Sequence, residues 1–286
     1  MSIKINHLTH VYNPDTIFEK VALHDVNVEI QKGEFIGLIG HTGSGKSTLI
    51  QHLNGTIFPT AGEILLDGEN IHKDKAKLKE VRQKIGLAFQ YPEHQLFEMT
   101  VYKDVAFGPS NMKLSPEEID KRVKEALQTV GLSENIYEKS PFELSGGQKR
   151  RVAIAGVLAM NPEVLILDEP TAGLDPKGRD EILLAIQKLH KERGITIILV
   201  SHSMEDVAKL VDRLIVMEKG KVAMMGTPKE VFARVKELEK IGLAAPQISY
   251  VLDALREKGY ALPQDIYTME EAVKALYALL KGEGKI

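Results

Sequence analysis

With 286 residues, 43% hydrophobic and 27% charged, the chain has the balance of a soluble globular protein, enough for one large domain plus an appendage. A net charge of −3 supplies no basic field for nucleic acid, and the absence of cysteine excludes disulfides and thiolate metal sites, as suits a reducing cytoplasm. The longest apolar runs, such as Ile195–Val200, fall far short of the roughly 20 residues that cross a bilayer, and Met1–Ile5 lacks the apolar core of an export signal. Any membrane role is therefore expected to come through a partner.

The first ninety residues read mainly as strands. Ile3–Tyr12, Ala22–Ile30, Glu34–Gly40, Glu63–Leu66 and Lys84–Gln90 are rich in branched residues and separated by glycine or asparagine turns. A helix is predicted from Gly45 through Leu53. The lysine-rich stretch Lys73–Lys84 lacks interleaved aromatics, so it reads as a solvated face and not as a nucleic-acid patch. From 91 to about 160 the pattern turns helical. Ser115-Pro116-Glu117-Glu118 spells a capping box with proline at the first helical position, Gly131 is a suitable stop, and another helix begins after Ser145. Strands return at Val164–Leu167, Thr196–Val200 and Arg213–Met217, and between the first two Asp175-Pro176 opens a helix that Gly194 closes. This alternation implies a mostly parallel sheet covered on both faces, in the α/β class. Beyond Gly226, Thr227-Pro228-Lys229-Glu230 is a further capping box, and Gln247–Lys258 and Met269–Lys281 have amphipathic spacing. That tail is too small to stand alone and reads as an appendage docked on a neighbour. Of the nine histidines, most read as surface groups.

Chemistry concentrates in three places. Gly40-His41-Thr42-Gly43-Ser44-Gly45-Lys46-Ser47 has the phosphate-loop spacing: glycines let backbone amides turn inward around phosphates, and the helix start adds a positive dipole end. Lys46 then reaches the β- and γ-phosphates, and the Ser47 hydroxyl ligates Mg²⁺. Val164–Leu167 delivers Asp168 and Glu169 at a strand's carboxyl end, where open parallel sheets bind ligands; Asp168 is assigned to the metal and Glu169 to the attacking water. The third place is Leu144-Ser145-Gly146-Gly147-Gln148, a glycine-rich helix start with no phosphate of its own, which must reach the nucleotide of another subunit.

Together with His202, these segments resemble the nucleotide-binding subunit of an ATP-binding cassette (ABC) transporter over residues 1 to about 230. The resemblance implies an ABC-type P-loop NTPase: a mostly parallel core sheet, an antiparallel β subdomain, a helical subdomain inserted at about 91–160, and a helical C-terminal extension over 231–286. It implies ATP and Mg²⁺, with Thr48 joining residues 40–47 in the nucleotide set. Tyr12 would stack on adenine. Gln90 would touch metal and water and report nucleotide state. Ser145, Gly146, Gly147 and Gln148 would meet the γ-phosphate bound by the opposite subunit, Asp175 would line the dimer seam, and His202 would bridge the γ-phosphate and Glu169. No motif position departs from the family pattern.

A narrower resemblance rests on Tyr91-Pro92-Glu93-His94-Gln95-Leu96-Phe97 after Gln90, on His41-Thr42-Gly43, on Gln51-His52-Leu53-Asn54-Gly55 and on the helical tail. These look similar to the energy-coupling factor ATPases, importers of vitamins or transition-metal ions, and to the second of their two paired ATPases. That family implies a partner ATPase, a transmembrane scaffold seated on 91–97 with Leu96 and Phe97 supplying apolar contact, and a substrate-binding membrane protein. The chain would sit peripherally on the cytoplasmic face of the membrane, with its tail tying the two ATPases together. Cassettes of other importers, or soluble ones acting in DNA repair or translation, are the alternatives; the latter usually carry a coiled coil or two linked cassettes, which this sequence lacks.

Overall fold

Two sheets organise the computed structural model, which describes residues 2–281. The last five residues of the predicted extension, 282–286, lie outside the described residues. A four-stranded antiparallel sheet has the order β2-β1-β4-β5, with β1 Ile3–Tyr12, β2 Lys20–Ile30, β4 Ala61–Leu66 and β5 Glu69–Asn70. A six-stranded sheet has the order β10-β9-β3-β8-β7-β6, formed by β3 Phe35–Ile39, β6 Ile85–Ala88, β7 Val164–Asp168, β8 Thr196–Val200, β9 Arg213–Glu218 and β10 Lys221–Gly226. All its pairings are parallel except β10 with β9.

Strands β3, β7 and β8 are buried at every position, so they read as unbroken apolar runs. The pleat nevertheless sorts their side chains between two cores. Phe35, Leu165, Leu167, Ile197 and Leu199 pack with the helices, whereas Ile36, Leu38, Ile166, Ile198 and Val200 pack with the antiparallel sheet and α1 (Lys46–Leu53). The helical insertion consists of α3 Val101–Asn111, α4 Pro116–Thr129 and α5 Gly146–Leu158, packed on one another.

Several expectations are corrected. Leu78–Lys84 forms a helix, α2, because Leu78 and Val81, one turn apart, are buried; β6 therefore starts only at Ile85. Residues 73–84 are accordingly not a bare solvated face: Lys79 Nζ donates to Asn111 O at 3.2 Å and Arg82 Nη2 to Gly55 O at 3.0 Å. Ser115 caps α4, but Glu118 does not complete the box; its carboxylate goes 2.6 Å to Arg122 Nε one turn on. Helix α7 (Met204–Leu210) and strand β10 are additional elements. The other capping signals hold: Asp175 opens α6 (Pro176–Arg193), Gly194 closes it at φ 60°, and Thr227 and Glu230 form a full capping box at α8 (Pro228–Phe232).

The tail attaches in two ways. Val231, Phe232, Leu238, Leu243 and Ala245, around α8 and α9 (Val235–Lys240), belong to the main helical-side core. Helices α10 (Gln247–Glu257) and α11 (Met269–Leu280) close a separate small cluster of Ile248, Leu252, Leu262 and Ala272. Leu252 is fully buried there, and its truncation to Ala should cost about 2–4 kcal/mol. With so few partners that loss should stay local: hydrogen exchange in α10 and α11 should speed up while ATP affinity is unchanged, and global unfolding instead would show that the cluster is not a separate unit.

Candidate active site

The parallel strands β3, β8, β7 and β6 end at one level, with Leu38 opposite Val200, Val200 opposite Asp168 and Leu167 opposite Ala88. Residues following these ends therefore share one edge of the sheet. They line an open cleft of about 420 Å³ containing Tyr12, Thr42, Gly43, Gly45, Lys46, Ser47, Thr48, Gln90, Glu169 and His202.

The phosphate loop is built for close backbone approach. Gly45 has φ +105°, and a Cβ there would sit 2.8 Å from Ala22 O, so only glycine fits. A Cβ on Gly43 would meet nothing within 4 Å, so that side of the loop faces open space. Lys46 folds back over the loop, donating to Gly40 O at 2.7 Å and to His41 O at 3.2 Å. Burial pushes its ammonium down, while Glu169 and Asp168 pull it back up. Asp168 is buried at the end of β7; burial first, then the neighbouring Glu169, pushes its carboxyl up to about 6 against the pull of Lys46. Ser44 Oγ is buried with no partner among the described residues.

These groups fit Mg²⁺ with a polyphosphate. Ser47, Gln90 and Asp168 offer oxygens, as a hard cation prefers, and added positive charge would relieve the crowding of the Asp168 and Glu169 carboxylates. Bound there, the ion would neutralise phosphate charge.

Glu169 is held from both sides. Gln90 Nε2 donates to its Oε2 at 2.9 Å, and His202 Nε2 lies 2.8 Å from its Oε1. Its backbone is left-handed, φ 49°, an uncommon state for a residue with a long side chain. The Glu169 amide donates to Val200 O on the adjacent strand at 3.0 Å, which holds that conformation.

Tyr12, at the end of β1, lies across the cleft with its hydroxyl 3.3 Å from Thr48 Oγ1. Behind it runs a chain of rings that the sequence reading passed over. His10 meets Tyr12 edge-on at 4.4 Å between centroids, His52 meets His10 at 4.6 Å, and His72 follows at 6.4 Å. Of the nine histidines His52 alone is buried; His7, His24, His94 and His202 are exposed and the other four are half-buried. His52, fully buried on α1, lies 2.7 Å by its Nδ1 from Thr48 O; a carbonyl can only accept, so Nδ1 carries the hydrogen.

The Leu144–Gln148 motif lies elsewhere. Ser145 and Gln148 cap α5 reciprocally: Ser145 N donates to Gln148 Oε1 at 3.0 Å, and Gln148 N donates to Ser145 Oγ at 3.3 Å. With Gly146, Gly147 and Asp175 they line a second open cleft, of about 500 Å³. Asp175 Oδ1 accepts from Gly178 N at 3.3 Å, so the same residue caps α6. None of these residues lines the phosphate cleft.

One further residue escaped the sequence reading, and it pairs with Glu93 of the 91–97 turn. Arg150, on α5, is 2% exposed, and its guanidinium takes both carboxylate oxygens of Glu93, with Nε 2.9 Å from Oε2 and Nη2 2.5 Å from Oε1. Its Nη1 donates to Pro170 O at 3.2 Å and also to Ala172 O. Local sequence did not signal the pairing, since Arg150 sits in a Lys-Arg-Arg run and Glu93 in a short turn.

Comparison with known proteins follows the same lines. Residues 23–172 match the ABC transporter family model. The chain belongs to the ABC transporter family, in its energy-coupling factor branch. It is 62% identical to the energy-coupling factor transporter ATP-binding protein EcfA2 of Clostridium tetani, over 99% of both chains. Among solved structures it resembles cbiO1 of Clostridium perfringens, described as part of the ABC transporter complex cbiONQ, with 44% identity and TM-score 0.75 over 88% of this chain and 98% of that one. It also resembles the dimeric cassette MJ0796 in a post-hydrolysis state bound to ADP and Pi, with 33% identity and TM-score 0.71 over 79% of this chain and 98% of that one. This energy-coupling factor ATPase therefore shares its family's chemistry, ATP hydrolysis with Mg²⁺ coupled to transport.

One prediction concerns the rings behind Tyr12. Burial first, then the neighbouring His10 and His72, lowers His52 from an ordinary 6.5 to about 4, against the pull of the Thr48 and Phe58 carbonyls. The unfolded chain thus takes up a proton near 6.5 that the folded chain refuses until about 4. This residue reduces stability as pH falls through that window, by at most about 1.4 kcal/mol per pH unit, and costs nothing above it. Melting temperatures of the wild type and His52→Gln should therefore converge or cross on acidification from 6.5 to 4; parallel curves would contradict the assignment.

Proposed function

We propose that this chain is one half of an ATP-driven clamp that powers uptake of vitamins or transition-metal ions through membrane partners. The observation that carries the reading is the separation of the two clefts. The hydrolytic groups Lys46, Gln90, Glu169 and His202 share one, and Ser145, Gly146, Gly147 and Asp175 share the other. A nucleotide gripped by both motifs must lie between two subunits, a reading supported by the dimeric, ADP- and Pi-bound state of the MJ0796 cassette.

Within one half, Tyr12 would stack on adenine, and the 40–48 loop with Lys46 would hold the phosphates. Ser47, Gln90 and Asp168 would hold Mg²⁺. Glu169 would accept the proton of the attacking water, its carboxylate aimed by Gln90 and His202. His202 would also meet the γ-phosphate on closure. The mate's Ser145–Gln148 equivalent would complete the site, with Asp175 at the seam.

The chain works with another ATPase and membrane components, as its relatives' names indicate. In detail, we take the mate to be a different cassette ATPase and place a transmembrane scaffold on the turn at 91–97, with a separate substrate-binding membrane protein. Leu96 is partly buried against the protein's own core and would offer only its open face to the scaffold. Phe97 would supply most of the apolar contact, joined by Met99 and Phe107; all three are exposed, and the Phe97 and Phe107 rings meet edge-on at 5.0 Å. No helix among the described residues is long and apolar enough to cross a membrane, which fits peripheral attachment at the cytoplasmic face. Residues 1–230 would form the cassette, with 91–160 as its helical insertion, and 231–286 would tie the two ATPases together.

Glu169→Gln should bind ATP normally, form a stable complex with the partner ATPase when ATP is added, and lose about 10²–10⁴-fold in turnover. Sedimentation with and without ATP, beside phosphate release, reads all three. Full turnover by the isolated wild-type monomer would falsify the clamp. Serine in place of Phe97 should release the chain from detergent-solubilised membrane complexes without altering its own ATP affinity, and unchanged retention would move the scaffold contact elsewhere.

A further inference from the structure

We propose that Arg150 is a positioning residue that couples the scaffold-docking turn to the catalytic loop and to the signature helix. The proposal rests on the reading that residues 91–97 receive the scaffold.

Three functional pieces converge on this one side chain. Arg150 sits one turn along α5, the helix that starts at the signature glycines Gly146 and Gly147. Its fork holds Glu93, in the docking turn, by two parallel hydrogen bonds. Its remaining nitrogen binds the carbonyls of Pro170 and Ala172, in the loop that runs from Glu169 to Asp175. The Tyr91 ring lies over the guanidinium, 5.5 Å to its centroid, and a Cβ on Gly173 would lie 3.7 Å from Tyr91 Cε1. Glu169 itself is tied to the neighbouring Gln90.

Stability alone gives weak reason for such an arrangement. An ion pair buried this deeply loses much of its Coulombic gain to desolvation, and an apolar pair of similar volume would pack as well. What an apolar pair would lack is direction. A planar guanidinium fixes four acceptors on two loops relative to the helix that carries it. A push on the docking turn therefore displaces the carboxylate end of the catalytic loop, the seam at Asp175 and the signature amides as one body. Lysine, a point donor on a flexible stem, cannot hold both loops at once.

The test uses the complete membrane complex and the scaffold-free ATPase pair, each with wild type, Arg150→Lys, Glu93→Gln and the double variant. The reading is the ratio of complex-bound to scaffold-free turnover, alongside scaffold retention, ATP affinity and melting temperature. Each single variant should keep ATP affinity within about twofold and lower the turnover ratio by about fivefold or more, and the double should lose no more than either single. Glu93→Gln keeps the volume and one acceptor oxygen, so it carries the test if Arg150→Lys does not fold. If the variants lower bound and free turnover by the same factor, Arg150 only supports the fold and the proposal fails while docking stands. If the wild-type complex turns over no faster than the free pair, docking at 91–97 fails and takes the proposal with it.

Discussion

Everything at the site depends on parallel strands that stop at the same height. Because β3, β8, β7 and β6 are paired in register and mostly buried on both faces, their carboxyl ends cannot slip without turning core side chains outward. The start of the phosphate loop, His202, Glu169 and Gln90 all lie within two residues of the ends of that apolar slab. Four segments far apart in sequence thus meet without any long-range specificity of their own.

Electrostatics gives this edge its character. Lys46, Asp168 and Glu169 crowd into a poorly hydrated pocket, and the carboxylate at the strand end bears the cost as a raised affinity for protons. A site left short of positive charge favours a dication and penalises its absence. Lys46 meanwhile occupies the Gly40 and His41 carbonyls, so it is poised at the mouth it would have to serve. Behind Tyr12 a buried, neutral His52 adds no charge to the cleft.

Much of this was legible in the sequence because the decisive signals are local. The runs Val164–Leu167 and Thr196–Val200 read as two-faced strands, and Asp175, Gly194 and Thr227 mark helix ends through interactions within one turn. Where the reading failed, the information lay elsewhere. Helix α2 was lost because its three basic residues, Lys79, Arg82 and Lys84, outnumber its two buried ones, Leu78 and Val81. Helix α7 has only seven residues, although Ser203 followed by Asp206 carried a capping signal that could have revealed it. Strand β10 is an edge with a single buried position, Met224. The pairing of Arg150 with Glu93 spans 57 residues, and the contact of His10 with His52 depends on how β1 meets α1. No periodicity records such meetings.

The left-handed turn at Glu169 has a mechanical corollary. Its amide hangs from Val200, and His202 follows two residues beyond that same carbonyl, so the carboxylate and its imidazole share one mounting. Shear between the halves of the sheet would carry both together and preserve their spacing. Gln90 alone is mounted differently, two residues beyond the outermost parallel strand, which pairs with one neighbouring strand. Of the three side chains around the hydrolytic position, it is the adjustable one.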